Sequence, residues 1–189
     1  MNPIFILVGP SGVGKSTVQE RLLTQSGLGL VRAITTTTRK PRPIETEGQD
    51  FFFLSPEAFA ELASHDGFVE WVETFGRSYG TSRKELDAKL AQGPVLMITD
   101  MRGAHSIKAK YPDTHVIFID APRADLIRRI EERPGTTAED LERRIKRMDE
   151  EKAGAKEADI VLENPDGKLE DTYQNLLTYI SSRLASRVH

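Results

Sequence analysis

Residues Ile4–Val8 form an unbroken apolar run rich in branched side chains, the pattern of a parallel strand covered on both faces. A glycine-rich turn follows. Next comes Ser16–Gln25, where Val18, Leu22 and Leu23 fall on one helical face before Gly27 and Gly29 end the pattern. Short apolar runs return at Val95–Ile98, His115–Ile119 and Ile160–Leu162. Helical patterns occupy Gly103–Lys110, Ala124–Glu132, Ala138–Glu151 and Gly167–Leu184. Strands alternating with helices predict crossover units, hence an α/β fold of three layers around a parallel sheet.

Two stretches break the alternation. Residues 31–93 are rich in Thr, Pro and aromatics, including Phe51-Phe52-Phe53 and the lone Trp71, and predict an insertion with a small strand region and one or two short helices. Residues 133–157 are dense in charge and poor in large apolar side chains, which predicts a mobile helical flap. At about 150 residues per domain, 189 residues make one domain. The expected organisation is a core of 1–32, 94–132 and 158–189, an insertion at 33–93 and a lid at 133–157.

Composition removes whole classes of function. With 26 basic and 29 acidic residues the net charge is −3, which argues against a general nucleic-acid binder but leaves room for a local basic pocket. The absence of cysteine excludes disulfide scaffolds, thiolate zinc sites and thiol nucleophiles. His65, His105, His115 and His189 show no metal-ligand spacing. No apolar run approaches the roughly 18 residues of a membrane span, and the first run lacks the flanks of a signal peptide, so no membrane partner is expected and the cytoplasm is the expected compartment.

The strongest signal is Gly9-Pro10-Ser11-Gly12-Val13-Gly14-Lys15-Ser16, followed by Thr17, which matches G-x-x-x-x-G-K-[ST]. The glycines let the backbone curl so that amide groups point inward at phosphate oxygens, and the following helix adds its positive N-terminal end. Lys15 supplies a full charge toward the β/γ-phosphates, and the Ser16 hydroxyl is placed to ligate Mg²⁺. The loop follows an apolar strand and opens an amphipathic helix, as the motif requires, so the core is read as a P-loop NTPase core that binds a nucleoside triphosphate.

A second signal is Thr35-Thr36-Thr37-Thr38-Arg39-Lys40-Pro41-Arg42, where two arginines flank a proline behind a run of hydroxyls. Guanidinium forks bind phosphate oxygens in pairs, and the proline stiffens the turn between them. Glu70-Trp71 and Ser78-Tyr79-Gly80-Thr81-Ser82 add a carboxylate, a phenol and hydroxyls suited to reading the edge of a base. The residues by themselves reach a P-loop phosphotransferase with a second, arginine-lined anion site.

The loop at 9–16, TTTRKPR at 36–42, EGQDFFF at 47–53, FVEW at 68–71, SYGTS at 78–82, DMRG at 100–103 and the arginines at 133 and 144, taken in order and spacing, resemble the guanylate kinase family. The resemblance runs from Gly9 to Asn164 and implies transfer of the γ-phosphoryl group of ATP to GMP, with Mg²⁺. It also makes 33–93 a nucleoside-monophosphate-binding insertion. It implies that Arg39, Arg42, Tyr79 and Thr35 meet the GMP phosphate, that Glu70, Thr81 and Asp100 read guanine, that Arg133 and Arg144 close over the ATP phosphates, and that Asn164 lies near the adenine. Lys15, Arg39, Arg133 and Arg144 are then the catalytic set. The chain departs from the family pattern at Phe51, where a tyrosine usually meets the GMP phosphate, at Ile98, where a carboxylate usually helps organise Mg²⁺, and at Arg102, where glutamine is common. The alternatives left open are a related P-loop kinase with another nucleotide or sugar-phosphate acceptor, and a non-catalytic binding module of the same shape. The chain is expected to act as a monomer or homodimer.

Overall fold

The computed structural model describes residues 1–74, 76–133 and 135–186. Five strands form the main sheet: β1 (Ile4–Val8), β2 (Val31–Arg32), β7 (Val95–Ile98), β8 (Thr114–Asp120) and β9 (Ile160–Glu163), in the order β2-β7-β1-β8-β9. Every pairing in it is parallel. The register sets Leu7 beside Ile98 and Ile117, so β1 runs up the centre and delivers the loop at 9–16 to the carboxyl edge. Alternate residues of β1 serve opposite faces, as strand geometry dictates. Phe5 and Leu7 pack with Val18, Leu126, Leu176 and Ile180, while Ile4, Ile6 and Val8 pack with Leu86, Leu90, Ala104 and Ile107.

Those partners come from the two helical layers. On one face lie α1 (Lys15–Gln25), α5 (Arg123–Glu131), α6 (Ala138–Ala153) and α7 (Leu169–Ala185); on the other lie α3 (Arg83–Gln92) and α4 (Met101–Lys110). A 3-10 turn at 154–157 follows α6. No helix among the described residues is long and apolar enough to cross a membrane.

The insertion builds its own sheet. Strands β3 (Thr36–Thr37), β4 (Phe52–Phe53), β5 (Phe68–Thr74) and β6 (Arg77–Ser82) are ordered β4-β3-β6-β5, with β3 and β4 parallel and the other pairs antiparallel. Helix α2 (Pro56–Ser64) starts at Ser55, whose hydroxyl accepts the Ala58 N–H. It lays Phe59 on Phe68, with ring centres 4.3 Å apart, and edge-on to Trp71 at 6.0 Å. Trp71 is half-exposed, while its strand neighbours Val69 and Glu70 are buried. Val69 joins the core cluster that includes Ala104 and Ile107, so one strand of the second sheet is seated on α4.

The flap differs from its charge pattern. Met148, in the second half of α6, is fully buried against α5 and the main sheet. Lys152 reaches Asp120 at the end of β8 (2.9 Å) and also donates to the Ala121 carbonyl. The charge density of 133–157 masks an apolar anchor and ion pairs to other elements, Lys152 with Asp120 and Asp149 with Arg123 among them, so the C-terminal half of α6 is docked on the core.

Candidate active site

Gly9 leaves β1 with φ 137°, and a Cβ there would stand 2.1 Å from the Ile119 carbonyl oxygen on the neighbouring strand. Only glycine lets the loop turn that close to β8. Lys15, in the first turn of α1, donates from Nζ to the carbonyls of Gly9 (2.6 Å) and Pro10 (3.0 Å). Burial pushes its pKa down to about 8, with the Glu151 carboxylate pulling the other way. Ser16 and Thr17 are exposed beyond it, next to the mouth of the loop. Asn164, at the end of β9, is buried and commits its side chain to the loop: Nδ2 donates to the Val13 carbonyl (2.8 Å) and Oδ1 accepts from Thr172 Oγ1. It also lines an open cavity of about 280 Å³ with Gly12, Gly14, Thr17, Arg129 and Pro165.

Across the molecule, the second candidate site centres on Glu70, buried on β5. Its Oε1 accepts from Thr81 Oγ1 at 2.8 Å and its Oε2 from Thr99 Oγ1 at 3.4 Å. Burial pushes its carboxyl above the usual range; the two threonine bonds oppose this, and the negative charge of Asp100 adds to it. Asp100 caps α4 by accepting the Gly103 N–H (2.8 Å). A Cβ at 103 would lie 2.8 Å from Glu70 Oε2, so the bare glycine lets the helix close over the carboxylate.

The arginine pair separates into an inner and an outer member. Arg39 is buried and makes a two-pronged pair with Glu45, Nη1 to Oε2 at 2.9 Å and Nη2 to Oε1 at 2.8 Å. Hydrogen bonding to Arg39 holds the Glu45 carboxyl below its usual range. The Arg39 guanidinium lies over the Phe51 ring at 5.1 Å and the Phe53 ring at 5.8 Å, and Tyr79 adds a further interaction. Arg42 is exposed, its backbone N–H donating to Glu45 Oε2 at 2.7 Å. Thr35 stands at the entry to β3, its carbonyl accepting from the Phe52 N–H. Phe51 thus supports Arg39 by its ring where a tyrosine would offer a hydroxyl.

Arg144 and Arg133 complete the arrangement. Arg144 Nη1 donates to Ser11 Oγ at 2.6 Å, bringing the flap onto the phosphate loop. Arg133 lies at the surface past the end of α5; partial desolvation lowers its pKa, and repulsion from Arg144, Arg42 and Arg39 lowers it further. Arg133 therefore lies within the electrostatic field of guanidiniums from the flap and from the second sheet. Three contributors escape sequence reasoning: Glu45, Thr99 and Glu151. Among the described residues no group of three His, Asp or Glu side chains is arranged to hold an ion.

A glycine-rich phosphate loop after β1, a buried carboxylate on the second sheet and arginines on the second sheet and the flap are the parts of a P-loop kinase. The guanylate kinase family model matches residues 1–183. The guanylate kinase of Trichodesmium erythraeum is 38% identical over 175 residues, covering 92% of each chain. That of Streptomyces kasugaensis is 36% identical over 186 residues, 97% of this chain and 89% of its own. The crystal structure of guanylate kinase from Anaplasma phagocytophilum superposes with a TM-score of 0.75 at 27% identity, covering 96% of this chain and 85% of that one. The chain belongs to the guanylate kinase family.

Proposed function

We propose that the protein transfers the γ-phosphoryl group of ATP to GMP, and to dGMP, releasing ADP and GDP. One observation carries the reading. Arg133 lies within electrostatic range of Arg144, which touches the loop, and of Arg39 and Arg42, which belong to the second site. Glu45 offsets the charge of Arg39, and the repulsion left on Arg133 is what a bound anion would relieve. Two polyphosphate tails meeting end to end supply that anion, and phosphoryl transfer asks little more of a protein than positioning and positive charge.

On the donor side, Lys15 would exchange its two carbonyl partners for phosphate oxygens, and the incoming charge would restore the proton affinity that burial removes. The cavity beside Asn164 and Arg129 is where the adenine would rest. Ser16, exposed in the first turn of α1, fits a divalent ion that arrives on the nucleotide and is held largely by its phosphates, since Ile98 offers no carboxylate. Mg²⁺ bound there would neutralise charge developing on the phosphate oxygens.

On the acceptor side, Glu70 selects the base. Guanine offers N1–H and its 2-amino group side by side, two donors for a carboxylate that burial has deprived of water. Adenine cannot present that pair, so its entry would leave the carboxylate unsatisfied at a cost of several kcal/mol. The outer Arg42, exposed and 3.9 Å from Glu45 Oε1, would turn onto the acceptor phosphate, while Arg39, braced by Glu45 and two rings, would supply a fixed charge behind it. The cytoplasm is the proposed location and the substrates are the proposed partners.

The test is a coupled assay of ADP release with GMP, AMP, CMP, UMP and ribose phosphates as acceptors. GMP is expected to exceed every rival by at least about a hundredfold in kcat/KM. Comparable turnover with a pyrimidine nucleotide or a ribose phosphate would overturn the assignment.

A further inference from the structure

Helix α6 meets the phosphate loop along one stripe. Positions 144, 148 and 151 are spaced four and three apart, so they share a helical face. Arg144 donates to Ser11 Oγ at 2.6 Å, Met148 is buried in the core, and Glu151 Oε2 accepts the backbone N–H of the same Ser11 at 3.2 Å. Arg147, one turn earlier, pairs with Glu151 Oε1 at 3.6 Å, and the Lys15 ammonium lies within the field of that carboxylate. An amide of the anion cradle is therefore already satisfied by an anion from the chain itself. The docking holds it there, because Met148 is packed away and Lys152, the next residue, is tied to Asp120 and the Ala121 carbonyl.

We infer that Glu151 is an internal competitor for the donor nucleotide: its carboxylate occupies the Ser11 amide that a donor phosphate oxygen takes, and ATP binds by displacing it. This rests on the reading of the loop as the ATP site. The carboxylate keeps the cradle, Lys15 and the flap arginine together when no nucleotide is present, at the cost of some donor affinity. Arriving phosphates repel it, so the side chain must turn away or the second half of α6 must lift. Donor binding is thereby coupled to the one helix that also carries Arg144. A bare triphosphate feels the repulsion more than one whose charge a divalent cation partly cancels.

The experiment is calorimetric titration of the full chain with the non-hydrolysable adenosine 5′-(β,γ-imido)triphosphate, with and without Mg²⁺, for wild type, Glu151→Gln and Glu151→Ala. Both variants are expected to bind the analogue tighter, Glu151→Ala by about tenfold without Mg²⁺ and by less with it, while GMP affinity stays unchanged. Glu151→Gln keeps the side chain's size and an acceptor for Ser11, so it separates loss of charge from loss of packing, and melting temperatures confirm that both variants fold. Equal affinity in wild type and both variants, or weaker binding in the variants, would overturn the inference alone. A wild-type chain that does not bind the analogue would overturn the donor assignment, and the inference with it.

Discussion

The loop at 9–16 offers main-chain amides and a single lysine, whereas the second site offers side chains held by other side chains. In the loop, the shape comes from glycine conformations and from Asn164, whose amide is pinned between Val13 and Thr172. In the second site, Arg39 depends on Glu45, Phe51 and Phe53, and Glu70 depends on Thr81 and Thr99. A backbone site is set by local conformation and tolerates variation at positions that lend it only their main chain. A side-chain site distributes its affinity over several partners, so each one can change with a graded effect. The departure from the family pattern at Phe51, whose ring lies against Arg39, fits that difference.

The largest expected effect falls on the donor side, where one charge has no substitute. Lys15→Ala should lower kcat by about three orders of magnitude or more, with a melting temperature close to wild type. Steady-state kinetics with near-normal turnover would remove the loop from its role. Arg39→Ala should raise KM for GMP by about ten- to a hundredfold and leave KM for ATP nearly unchanged, because the guanidinium belongs to the acceptor sheet alone. Equal effects on both constants would erase the distinction between the two sites. The mildest test is Phe51→Tyr. Its ring already lies over Arg39, so a hydroxyl at its tip should lower KM for GMP by up to about tenfold. An unchanged value would mean that the ring serves only to support Arg39.

Legibility in the sequence followed the same division. The phosphate loop could be read from eight consecutive residues because backbone sites are built locally. The buried strands and the long helices were equally readable from period alone, although β2 and β3, two residues each, carry no pattern that a period can show. The second site was assembled from positions as distant as 39, 70 and 100, and resemblance rather than spacing connected them. Glu45 hides in an exposed, proline-rich tract, and nothing nearby announces that it braces Arg39. Glu151 sits in the acidic run Asp149-Glu150-Glu151, which reads as a solvated face. The signal that could have found it is the shared stripe with Arg144 and Met148, one apolar residue between a cation and an anion.

Trp71 gives the molecule a built-in reporter. It is the chain's sole tryptophan and stands half-exposed on β5, next in sequence to the buried Glu70. Its ring lies on the sheet face opposite Glu70, packed edge-on to Phe59 of α2, so indole emission is expected to report how α2 and the second sheet shift when a nucleotide loads, without attaching a dye. Where a dye is wanted, a chain without native thiols accepts a single engineered cysteine on α6 with no background labelling.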